Sequence, residues 1–82
     1  MVVVHRAFGF RFVIYTSDHE PAHVHITGPG QAKINLTGAH GGIELIYNIG
    51  IKSGDLRRLL VEAEKRRDDF LKEWKAIHGS RN

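Results

Sequence analysis

The apolar residues of this chain change period once, near residue 50, and that switch limits the folds open to it. Up to Tyr47, apolar and polar residues alternate in short runs, as they do on the two faces of β-strands. From Leu56 onward they recur every three or four positions, as on one face of a helix. Strands first and a helix last predict an α+β domain. With 82 residues there is room for one domain, 1–82, and a thin core.

Glycine, proline and asparagine divide the first half into strands. Val2 to Arg6 reads as the first and Phe10 to Thr16 as the second, joined by Ala7-Phe8-Gly9 in a hairpin. His23 to Thr27 and Gln31 to Leu36 form another hairpin around Gly28-Pro29-Gly30, and Ile43 to Tyr47 is a fifth candidate after a flexible glycine-rich loop. The expectation is an antiparallel sheet of four or five strands. Phe10, Phe12, Ile14, Val24, Ile26, Ala32, Ile34 and Leu36 turn inward.

One long C-terminal helix, from about Gly54 to His78, is predicted to pack across one face. Ser53 would cap its start, Asp55 would favour its first turn and Gly79 would stop it. Such a helix is about 37 Å long, longer than a small sheet is wide. Its end is therefore expected to overhang, with Phe70, Trp74 and Ile77 packing against a homodimer mate or a cognate small protein. The final three or four residues are expected to be disordered.

No cysteine is present, so no disulfide supports the fold. The start of the chain lacks the pattern of a signal peptide, and no run approaches the ~20 apolar residues of a membrane span. A cytoplasmic protein is expected. A net charge of +3 raises the prospect of a polyanionic partner such as RNA or DNA. The helix charges alternate in sign, however, and read as a solvated face; no second helix precedes Leu56 to make a helix-turn-helix.

Chemistry concentrates at Ser17-Asp18-His19-Glu20-Pro21-Ala22-His23-Val24-His25-Ile26, which holds three of the six histidines. Strand alternation turns His23 and His25 to the same face, which they share with Arg11, Tyr15, Lys33 and Asn35. Three readings compete. His23 and His25 could ligate a divalent metal such as zinc, with His19, Asp18, Glu20 or Glu44 as third ligand, although the acid of a cupin motif and the third histidine of a histidine-triad hydrolase are missing. They could instead be the acid/base pair of a metal-free ribonuclease, aided by Tyr15, with Arg11, Lys33 and Asn35 binding nucleic acid. Or they could be non-catalytic, holding the acidic loop or docking a protein.

Three segments together carry a family resemblance: Phe10 to Ser17, Asp18 to Ile26 with its Pro and His-Val-His, and Gly30-Gln31-Ala32-Lys33-Ile34. With Asn48 to Leu59, most of the chain resembles the small bacterial domain-of-unknown-function family 4160. This chain has Pro21-Ala22 where the family pattern often has two prolines or a polar residue, and its loop before the fifth strand is richer in glycine. The resemblance implies a component of a two-gene toxin–antitoxin-type module. It implies no mechanism, and its tilt is toward a protein partner and a nucleic-acid connection.

Overall fold

The computed structural model describes residues 1–38 and 40–79, so the disorder expected at the end of the chain concerns residues outside the described ones. Five strands, β1 (Val2–Ala7), β2 (Phe10–Ile14), β3 (His23–Thr27), β4 (Gln31–Asn35) and β5 (Glu44–Ile49), pair antiparallel in sequence order as a meander. The eight side chains expected to face inward are all buried, alongside Ala22, Ile51, Leu59, Ala63, Phe70 and Trp74.

Parity along the strands sets out the opposite face in rows. Arg6, Arg11, Thr27, Gln31 and Ile49 are successive partners across the sheet, and so, one step along, are Val3, Val13, His25, Lys33 and Tyr47. A third row carries His23, Asn35 and Glu44. Irregularities between Val3 and His5 and between Lys33 and Ile34 keep the edge strands in this register. At the far edge, Leu45, Ile46, Tyr47 and Ile49 of β5 stay exposed.

The helical half differs from expectation. Two short helices, α1 (Ser53–Lys65) and α2 (Arg67–Trp74), replace one long helix, and a π-helical turn, Lys75–Gly79, follows. Lys52 occupies the N-cap position of α1, without a side-chain cap, so Ser53 is already helical. The break falls at Arg66, with φ −103° and ψ 10°. No apolar side chain lies between Ala63 and Phe70, and the contacts of that stretch are made by its arginines. A fresh N-terminus there places Asp68 and Asp69 in the first turn of α2, where the helix dipole favours them. Arg67 Nε donates to the Leu36 carbonyl at 2.6 Å and fixes the junction to the end of β4.

This break overturns the overhang. Phe70 stacks 5.3 Å from Phe12 and Trp74 lies 5.1 Å from the His23 ring, leaving them 1% and 3% exposed within their own chain. Ile77 packs half-buried against the same core. The reason for assigning the three to a partner interface is thereby removed. His5, on the inner side of β1, bonds Glu62 Oε2 at 2.6 Å, and Arg66 Nε donates to the same oxygen at 3.0 Å.

Two outcomes follow. Phe70→Ala should cost about 3–5 kcal/mol in urea unfolding, since it empties a core site; an interface residue would instead change the association state and leave the chain folded. The hydrogen bonds from Arg66 and His5 hold Glu62 below its ordinary 4.5. The stability this contributes is present above that value and is lost as pH falls through the depressed one. The gap in thermal midpoint between wild type and Glu62→Gln should therefore narrow below pH 4.5.

Candidate metal centre

The loop between β2 and β3 is bent so that one carboxylate is presented to two imidazoles. Asp18 closes a turn on Tyr15: its amide donates to the Tyr15 carbonyl at 3.0 Å and its Oδ2 accepts from the Tyr15 amide at 3.1 Å. Short acidic side chains stabilise such turns by capping their own backbone. The chain then passes a cis Glu20–Pro21 peptide and enters β3 at His23.

The Pro21 carbonyl lies 2.8 Å from His23 Nδ1. A carbonyl can only accept, so Nδ1 carries the hydrogen and, in the neutral ring, Nε2 carries the lone pair. That lone pair faces Asp18 Oδ2 at 3.2 Å, and His25 Nε2 stands 3.7 Å from the same oxygen. The three candidate ligand atoms all lie within 4.8 Å of one another. A tetrahedral ion with bonds of about 2.0–2.1 Å separates its ligand atoms by about 3.3 Å, so the cluster is near ligating dimensions. A backbone carbonyl on the distal nitrogen of a ligating histidine is also a common orienting contact.

Surroundings keep the cluster dry on one side and open on the other. His23 is 4% exposed beneath Trp74, while His25 remains half-buried with the Tyr15 ring edge-on at 4.9 Å. Burial lowers the pKa of His25 from its ordinary 6.5; Asp18 opposes the shift, and the neighbouring His23 and Lys33 add to it. The neutral imidazole that a metal requires is thus the favoured form. Trp74 Nε1 donates to Glu20 Oε2 at 3.2 Å and so pins the loop to α2. Behind it lies a cavity of about 160 Å³ lined by Asp18, His19, Glu20, Trp74 and His78.

His23, His25 and Tyr15 therefore come together, as does Asp18, which the sequence offered only as an alternative ligand. His19 is exposed and lies outside the three-ligand group; the group found among the described residues is Asp18, His23 and His25. Glu20 is engaged with Trp74, and Glu44 lies across the sheet beyond Asn35. Lys33 and Asn35 pair with His25 and His23 on β4. Arg11 is further along β2, opposite Thr27. Trp74 and His78 were not anticipated here, because a contact between residues more than fifty positions apart leaves no local pattern.

Against known proteins, a family model described as "Domain of unknown function (DUF4160)" matches residues 9–75, and the chain belongs to that family. The match spans β2 to β5, with the histidine strand among them, and both helices through Trp74. No curated protein and no solved structure matches.

In metal-free protein, the His25 ring should titrate below 6.5 when followed by NMR. A histidine whose folded pKa is depressed contributes stability above its unfolded value and loses it as pH falls, so unfolding midpoints should decline as pH drops below 6.5.

Proposed function

We propose that the protein binds a divalent transition metal, zinc foremost, through Asp18 Oδ2, His23 Nε2 and His25 Nε2, and that it is a metal-dependent hydrolase of phosphodiesters. The observation that carries this reading is the pairing of His23 Nε2 with Asp18 Oδ2 at 3.2 Å while Nδ1 is committed to the Pro21 carbonyl. With the ring neutral, the two lone pairs face each other and repel, and the contact calls for a shared cation, a proton or a metal ion. A cation between them resolves the repulsion and draws in His25 as well.

Two nitrogens and one carboxylate oxygen form a donor set typical of catalytic zinc, which keeps a remaining position for water. Zinc held by Asp18, His23 and His25 would supply a water that ionises near neutral pH, the nucleophile that hydrolysis of a phosphodiester requires. Lys33 beside His25, and Arg11 further along the same face, supply positive charge toward a phosphate. In the toxin–antitoxin setting that the family resemblance implies, the substrate would be RNA.

Burial also weighs against metal-free acid/base catalysis. That chemistry needs both histidines within reach of the substrate, and His23 is 4% exposed under Trp74.

Untagged protein should bind zinc at one per chain by mass spectrometry and calorimetry. At a free zinc concentration of 100 times Kd it should gain about 2.7 kcal/mol of stability. Asp18→Asn and His23→Ala should each abolish the gain, and any RNA cleavage should vanish with chelator and return with zinc. A wild-type thermal midpoint and amide spectrum unmoved by equimolar zinc would falsify the assignment.

A further inference from the structure

Away from the histidines, at the tip of the β1–β2 hairpin, lies a cavity of about 500 Å³ whose lining includes Arg6, Phe8, Arg11 and Thr27 and contains no acidic side chain. Arg6 and Arg11 are direct cross-strand partners. Like charges held opposite each other on one face repel and weaken a sheet. Neither guanidinium has a hydrogen-bond or ion-pair partner among the described residues, although the structure pairs Arg58, Arg66 and Arg67. The backbone thus holds two cations together with no counter-charge.

Two further features point to the same place. Thr27, the partner of Arg11 on β3, has a hydroxyl shut off from water and bonded to nothing. A buried hydroxyl without a partner is disfavoured, and here it sits in the wall of a cationic cavity. The turn itself is strained: Phe8 and Gly9 take φ of 56° and 80°, a left-handed pair normally given to asparagine and glycine, yet the first is phenylalanine. That conformation leaves the Phe8 ring 53% exposed beside the cavity. The β3–β4 turn closes the far wall so tightly that a Cβ on Gly28 would lie 2.8 Å from the Phe10 ring.

We infer that Arg6, Arg11 and Thr27 form a binding site for the phosphate of a nucleotide unit, with the base over Phe8. Paired guanidinium forks match phosphate oxygens, and a small shift of the cavity wall would let the enclosed Thr27 hydroxyl donate as well. The cavity exceeds what an inorganic anion fills and falls in the range of small-ligand pockets. The Arg58 guanidinium carbon lies over the Phe8 ring 6.0 Å from its centroid, and the ring surface it leaves exposed can accept any base by stacking. The site extends the reading of the outer face as a phosphodiester surface but does not require the metal.

The test is run in chelator, so that loss of the metal and loss of this site are separable. Nitrogen-resolved NMR, including the arginine side chains, follows titrations with adenosine, adenosine 5′-monophosphate and a ten-nucleotide single-stranded oligoadenylate RNA. The monophosphate should shift Arg6, Arg11 and Thr27, and adenosine should not. Arg6→Gln and Arg11→Gln should each weaken binding about tenfold, and Thr27→Val, which keeps the shape, by a few-fold. Without ligand, either arginine variant should unfold at a slightly higher temperature, because the repulsion is relieved; this readout guards against mistaking a misfolded variant for a binding defect. Either a free nucleotide or a strand satisfies the proposal, and a Kd for the RNA at least a hundredfold below that of the monophosphate assigns the strand. The inference is overturned if millimolar monophosphate leaves Arg6 and Arg11 unmoved, or if Arg6→Gln and Arg11→Gln bind like wild type.

Discussion

The Asp18 carboxylate is held from two directions, and much of the molecule is arranged around that grip. On one side the Tyr15 amide donates to it; on the other stand His23 and His25, with the nearer imidazole oriented by the Pro21 carbonyl. Without the turn at Tyr15, the loop would have no reason to fold back over the start of β3. Without the loop, His23 would have neither the Pro21 carbonyl nor Asp18, and a nearly buried imidazole deprived of both would be costly. Trp74 completes the arrangement by covering His23 and bonding Glu20 on the same loop. The end of α2 thus belongs structurally to the β2–β3 connection.

That dependence explains which parts of the fold were legible in the residues. Alternation fixed the inward set on β2, β3 and β4, because each of those strands has one face on a core and a slip of one residue would invert it. The outer face is not uniformly polar, since Val13 there is fully buried between the Val3 and His25 positions. The helix was misread for a different reason. Spacings of three and four continue in phase across Ala63 to Phe70, so periodicity alone cannot report a break that arises from what the intervening arginines contact. Arg67 reaching Leu36, and Glu62 shared by His5 and Arg66, are contacts between distant parts of the chain.

The site divides along the same line. Parity alone put His23 and His25 on one face, since both lie on one regular strand. It could not choose between Asp18 and His19, because a loop has no period and a single backbone bond decides which side chain turns inward. The Tyr15 amide makes that choice for Asp18. Arg11 was identifiable as an outward cation, but its pairing with Arg6 depended on the hairpin register, which the two-residue Phe8-Gly9 turn sets by joining Ala7 directly to Phe10.

The rows of the sheet give the outer face a direction. Thr27 and His25 are two residues apart on β3, which at about 3.3 Å per residue separates their Cα atoms by roughly 7 Å. The basic row and the histidine row are therefore neighbours, with Arg11 and Val13 marking the same steps on β2. A ligand whose phosphate rests between Arg6 and Arg11 can extend across His25 without leaving the sheet surface. On the proposed reading such an arrangement would separate binding from chemistry: the exposed hairpin tip would offer charge for encounter, while the histidine row lies in a more buried setting. Further cations placed directly at the histidines would, like Lys33, disfavour a proton on His25, but they would also repel a metal ion held there. Holding the arginine pair one row away would keep their field on the phosphate of the proposed ligand and off the nitrogens proposed to hold a metal.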